Sequence, residues 1–149
     1  MTPALAETLA LVAEAASGAS DDWWIIGSAA VVLHGRSVPH VKDVDLLMSA
    51  ADAEVFLKRT GGPVRAGQAD DRFRSLVFGL WTVPPIPVEV MGGFSVAADG
   101  GWRDVMLTTR EPVSVADACV YVPAAEELVR LLHSFGRAKD LERARLMGR

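Results

Sequence analysis

Apolar residues recur along this chain with two periods, and turn residues separate the stretches that carry them. Leu5, Leu9, Val12 and Ala16 repeat at helical spacing behind Thr2-Pro3, a capping hydroxyl and a proline suited to the first helical position. Trp23-Trp24-Ile25-Ile26 reads as a short strand ending at Gly27. From Ser28 to His34 the residues are small or aliphatic and free of proline, which predicts a short buried helix with Gly35 at its C-terminal end. Asp43 to Met48 predicts a strand. Ser49, with Asp52 three residues on, caps a helix to about Lys58, and Gly61-Gly62-Pro63 breaks it. Phe73–Trp81 alternates as a strand, Thr82–Pro87 is a proline-rich connection, and Val88–Met91 predicts a strand ended by Gly92-Gly93. Val105–Leu107 and Cys119–Val122 are two further candidate strands beyond the Gly100-Gly101 turn. Leu128, Leu131, Leu132 and Phe135 predict a helix, and a second follows Gly136.

Composition narrows the class. The chain has 149 residues, 50% of them hydrophobic and 23% charged, which suits one globular domain over 1–149 with a helical tail from about 124. Its apolar runs all fall short of the roughly 20 residues that span a bilayer, so no membrane partner is expected. Met1–Ala16 carries Glu7 and Glu14 and no basic residue, unlike a signal peptide, and a cytoplasmic protein is the default expectation. Cys119 is alone, so it forms neither an internal disulfide nor a four-ligand zinc site, and it reads as a small buried hydrophobe. Charge is uneven. Residues 1–129 carry 9 Lys/Arg against 17 Asp/Glu, a net of −8, whereas residues 130–149 carry 6 against 2, a net of +4. A broad nucleic-acid-coating surface is therefore not expected, but a local basic face at the C-terminus is compatible with these numbers.

Three features stand in an order that suggests chemistry. Gly27-Ser28 lies where a strand meets a helix, so free backbone N–H groups, a glycine that permits close approach and a serine hydroxyl suit a phosphate. Asp43-Val44-Asp45 places two carboxylates on one face of a strand, roughly 7 Å apart along the chain. Such like charges repel, aspartate is a poor strand former, and a divalent cation with oxygen ligands, Mg²⁺ or Mn²⁺, would reconcile them. Glu89, flanked by Val88 and Val90, is a third carboxylate on a later strand. Asp70, Asp71 and Asp99 lie in turn-like segments where a solvated carboxylate is expected. Together the three features suggest a nucleoside triphosphate with its phosphates at Gly27-Ser28 and catalytic, metal-binding carboxylates at Asp43, Asp45 and Glu89.

These motifs resemble those of the DNA-polymerase-β-like nucleotidyltransferase superfamily. The resemblance rests on Ile25-Ile26-Gly27-Ser28, then fourteen residues, then Asp43-Val44-Asp45-Leu46, with Glu89 in Val88-Glu89-Val90. His34-Gly35 and Gly136-Arg137-Ala138-Lys139-Asp140-Leu141 are similar to segments of small bacterial members, among them abortive-infection-type toxins and minimal nucleotidyltransferases. It implies an α+β fold: a small mixed, twisted sheet, helices mainly on one face, and a C-terminal helical pair. It also implies Mg²⁺-dependent (or Mn²⁺-dependent) transfer of a nucleoside monophosphate from an NTP, ATP among them, to an acceptor hydroxyl, within a toxin–antitoxin type system. Lys42, Arg137 and Lys139 are the candidate triphosphate or acceptor contacts beside Gly27 and Ser28. The chain departs from small members at Pro39-His40-Val41-Lys42, where an arginine and a threonine are common, and at about Leu132, where a lysine is common. The alternative is a catalytically weak or inactive antitoxin or regulatory binding protein; a plain metal-dependent phosphohydrolase is a third reading. Little chain remains outside the catalytic fold, so the acceptor is expected to be macromolecular, a partner protein or a tRNA end, and an oligomer is compatible with this.

Overall fold

The computed structural model describes residues 1–66 and 70–148. Helix α1 (Pro3–Ala15) opens as its sequence dictates, with Thr2 Oγ1 accepting from the Leu5 amide at 3.2 Å, and it buries Leu5, Leu9 and Val12. Strand β1 (Trp24–Ile26) runs straight into α2 (Gly27–Leu33). Strand β2 (Val44–Met48) leads to α3 (Ala50–Thr60), capped by Ser49 and ended by left-handed Gly61. Then come β3 (Val64–Ala66), β4 (Phe73–Trp81), β5 (Val88–Ala98) and β6 (Gly101–Asp104). A hairpin of β7 (Glu111–Val115) and β8 (Ala118–Val122) precedes the C-terminal pair, α4 (Ala125–Phe135) and α5 (Ala138–Leu146).

The first six strands form one mixed sheet in the order β1-β2-β5-β4-β3, with β6 joined to β5. The β2–β5 pair is parallel and the other pairs in this sheet are antiparallel. Alternation along the central strands divides the residues between two faces. Ile25, Val44, Leu46, Val88 and Val90 are fully buried in a core shared with Leu5, Leu9, Phe56 and Leu57 of α1 and α3. On the opposite face Ile26, Leu47, Met91, Phe94 and Val96 meet Leu131 and Phe135 of α4. The fold is α+β with helices mainly on one face, as expected.

Several local expectations change. Gly92-Gly93 does not end β5, which runs on to Ala98. Gly93 adopts φ +62°, open to glycine at little cost, and this reverses the alternation: Glu89 and Met91 face the α4 side before it, Phe94 and Val96 after it. Val105–Leu107 lies outside the strands; the strand there is β6, just upstream. After β6 the Val105 amide still donates to the Phe94 carbonyl at 2.9 Å, and side chains hold the residues that follow. Glu127 accepts from the amides and hydroxyls of both Thr108 and Thr109, and Trp24 Nε1 donates to the Thr109 carbonyl at 2.8 Å. Strands β3 and β7 are additions; β7 is mostly exposed and carries Pro112, a weak strand signal. Cys119 is exposed rather than buried, because β8 turns Val120 and Val122 inward.

Glu127 supplies a stability test. Burial pushes its carboxyl up, but the hydrogen bonds from Thr109 and Thr108 together hold it below the usual carboxylate range. A lowered folded value means stability that is present above the unfolded value and lost as pH falls toward the folded one. Glu127→Ala should cost about 2–3 kcal/mol at neutral pH through the orphaned donors. Glu127→Gln should flatten the acid limb of a denaturation-versus-pH curve.

Candidate active site

The site grows from the register of β2 and β5. Asp45 and Glu89 are partners across this parallel pair, and their carboxyls share a hydrogen bond. Both point away from the main core into a cleft of about 460 Å³. Burial pushes the Asp45 carboxyl well above the usual aspartate range; the Glu89 charge, the hydrogen bond to Glu89 and the Asp43 charge add to this, and Lys139 opposes it. Asp43 sits one residue before β2 and is absent from the cleft lining, but it is close enough for its charge to act on Asp45. Among the described residues no three carboxylate, imidazole or thiol groups gather around one point. The donor set is nonetheless one of hard oxygens: a touching carboxyl pair with a third carboxylate beside it, of the kind that suits Mg²⁺ or Mn²⁺.

Gly27-Ser28 joins β1 to α2 as expected. Gly27 has φ +68°, and a Cβ there would lie 2.5 Å from Asp45 Oδ2, so the backbone is pressed directly against the carboxylate. The Ser28 hydroxyl accepts from Arg143 Nε at 3.0 Å, which leaves its own proton available to a further acceptor. No sequence motif marks Arg143 as a site residue, although it is one helical turn from Lys139 and both lie on α5.

The Gly-Arg-x-Lys-Asp segment is the joint between α4 and α5. Left-handed Gly136 ends α4, and Arg137 begins α5 with a bidentate pair to buried Asp140, 2.6 Å from Nε and 3.0 Å from Nη2. Arg137 also lies over the Phe73 ring at 4.7 Å and lines the cleft. Lys139 is exposed and acts electrostatically on Asp45. Lys42 is exposed in the loop before Asp43 and is not part of the cleft lining. The cleft thus brings together Asp45, Glu89 and Arg137, with Gly27 pressed against Asp45.

Other candidates resolve as structure. His34 Nε2 bonds the Pro123 carbonyl at 2.8 Å, and Trp23 packs edge-on against Tyr121. Asp70 lines the cleft, but its Oδ1 also accepts from the amides of Arg72 and Phe73 as a turn aspartate does. Phe73, Phe78, Phe94 and Phe135 form an aromatic wall that no sequence motif signalled.

No family model matches the sequence, and no curated protein matches it. Solved structures do. A Thermotoga maritima protein provisionally described as a nucleotidyltransferase is 23% identical, with TM-score 0.75 over 92% of this chain and 88% of that one. ANT(2")-Ia in complex with adenylyl-2"-tobramycin is 15% identical, with TM-score 0.60 over 98% and 88%. The lincosamide antibiotic adenylyltransferase LnuA, bound to lincomycin, is 14% identical, with TM-score 0.53 over 85% of each chain. This chain is built on the nucleotidyltransferase fold.

Proposed function

We propose that the protein transfers a nucleoside monophosphate from an NTP to an acceptor hydroxyl, with Asp43, Asp45 and Glu89 as the carboxylates that hold Mg²⁺ or Mn²⁺. The observation that carries this is the Asp45–Glu89 pair: two carboxyls in register, touching, at the base of a cleft on the nucleotidyltransferase fold. When bound, the cation would neutralise phosphate charge and acidify the acceptor hydroxyl. The chain's own groups do the rest. Gly27 and Ser28 present backbone N–H groups and a free hydroxyl proton to the phosphates, Arg137 and Lys139 supply positive charge around them, and Lys42, in the loop before Asp43, would reach them only from outside the cleft. The acceptor oxygen bonds to the α-phosphorus, the α–β bridging P–O bond breaks, and pyrophosphate leaves with the electron pair. The hydroxyl proton passes to the Asp45–Glu89 pair. Positioning and charge stabilisation account for most of the acceleration in such transfers.

The test is incubation with α-labelled NTP and Mg²⁺. Label on an acceptor with release of pyrophosphate supports the reading; release of phosphate alone favours hydrolysis. A weak or inactive nucleotide-binding protein is the second reading, and a specific observation favours it: Leu132 is fully buried in the core, so this helix offers no lysine to the triphosphate at that position. Nucleotide binding without turnover would select it. A toxin–antitoxin type setting is the biological context we attach to either reading.

Lys139 gives a graded check. It favours the ionised form of Asp45, so Lys139→Gln should lower kcat/KM roughly tenfold, chiefly through a higher KM for NTP. Steady-state kinetics at two salt concentrations would show it, the deficit shrinking as salt screens the wild-type charge.

A further inference from the structure

Helix α5 is fastened to α2 at both ends of the shorter helix. Near the start of α2, Arg143 Nε donates to Ser28 Oγ at 3.0 Å; beyond its end, Arg36 Nη2 donates to the Met147 carbonyl at 3.5 Å. Ala144, beside Arg143, is fully buried. The adjoining acid Glu142 is engaged by Arg145 through bonds of 2.9 and 2.6 Å, and Arg143 hydrogen-bonds across to α2 instead of along its own helix. Lys139, one turn before Arg143 and so on the same side of α5, acts on Asp45, against which Gly27 is pressed. Arg143 thus brings a guanidinium from the C-terminal helix to the residue that follows Gly27.

The chemistry of this contact has a direction. A serine hydroxyl carries one proton and two lone pairs, and it turns between donor and acceptor roles; a guanidinium only donates. Against Arg143 Nε, Ser28 Oγ is the acceptor, and its proton is turned away from the cation toward a further acceptor. Both side chains are half-buried, so neither is held merely by chance at the surface. A donor aimed beforehand loses less freedom when it meets a phosphate oxygen than one that must first be ordered.

Resting on the transfer reading above, we propose that Arg143 is a positioning residue of the nucleotide site: it holds the Ser28 oxygen as an acceptor so that the hydroxyl proton is directed at the triphosphate. Arg143 acts through Ser28 rather than through its charge, which sets it apart from Lys139 on the same helix. Arg36 holds α5 to α2 independently, so loss of the Arg143 bond removes the aim of the hydroxyl and leaves the helix in place.

The test is a double-mutant cycle on the full chain, read by calorimetry as affinity for α,β-methylene-ATP with Mg²⁺. Arg143→Met keeps an apolar stem and removes the donors; it should weaken binding about tenfold, and Ser28→Ala should do the same. The double variant should fall within about twofold of Ser28→Ala alone, because nothing is left for Arg143 to aim. Arg143→Lys retains a donor and should stay within about threefold of wild type, and in the Ser28→Ala background it should change nothing further. This second cycle stands even if Arg143→Met does not fold, which circular dichroism would show. Arg145→Met removes the same charge from the exposed side of α5 and should leave affinity within about twofold of wild type. Losses that multiply in the double variant would mean that Arg143 acts on the phosphates by charge; they would overturn the positioning role and leave the nucleotide site standing. A folded Arg143→Met that binds as wild type does would overturn it too. A wild type that binds no nucleotide would sink the transfer reading and this inference with it.

Discussion

Replacing Asp45 with asparagine should abolish nucleotidyl transfer and, at the same time, make the metal-free protein more stable. The two effects have one cause. Burial, the adjacent Glu89 and the nearby Asp43 all oppose ionisation of Asp45, so the folded chain holds a proton there that the unfolded chain releases. A carboxyl raised in the folded state loses stability as pH climbs from the ordinary aspartate range toward the raised value. The amide carries no charge and can still donate to Glu89, so Asp45→Asn should gain stability, and the gain should grow with pH over that interval. In a domain of this size each kcal/mol regained reads as about 2–4 °C in Tm. With Mg²⁺ and NTP the order reverses: the wild type gains by ligand linkage and the variant does not. Transfer should fall by about a thousandfold, the scale on which charge stabilisation at a reacting phosphate acts. A variant that is less stable at every pH, or one that retains transfer, would contradict this.

Gly27→Ala should be nearly as damaging to activity but should cost stability. The residue combines a φ of +68° with an imagined Cβ 2.5 Å from Asp45 Oδ2. The left-handed backbone alone costs an alanine about 1–2 kcal/mol. The methyl also displaces the Asp45 carboxylate from its place beside Glu89. Transfer should drop about a hundredfold or more, since small misplacements in the geometry of reacting groups are costly. Circular dichroism melts show the loss of stability, and the transfer assay shows the loss of rate. As a control, Gly35→Ala has φ +86° but nothing within 4 Å of the added methyl, so it should lose stability and keep its rate. Equal losses of rate in the two variants would sever the link between Gly27 and Asp45.

The legible parts of the sequence were those where local chemistry and tertiary context agree. Thr2-Pro3 and Ser49 cap their helices as written, and Gly27-Ser28 joins strand to helix. The Asp45–Leu46 alternation puts one residue in the cleft and the other in the core. What stayed hidden depended on distant partners. Gly92-Gly93 looks like a terminator because two glycines usually mark a turn, yet pairing with β4 and β6 carries β5 through it. Val105–Leu107 is apolar enough for a strand, but Glu127, on a helix some twenty residues later, ties the following threonines down. Cys119 reads as buried by residue type, but its register beside the inward Val120 leaves it exposed. The Arg143–Ser28 bond joins positions 115 residues apart, a contact that only the folded chain creates.

The proposed function requires Asp45 and Glu89 to form a divalent-cation site for a bound nucleotide. Its most direct test is a Mn²⁺ titration followed by electron paramagnetic resonance, with a non-transferable α,β-methylene nucleotide present. The wild type should bind Mn²⁺ beyond what the free nucleotide takes up, and Asp45→Asn and Glu89→Gln should each lose that excess. The same Mn²⁺ uptake in all three proteins would contradict that requirement.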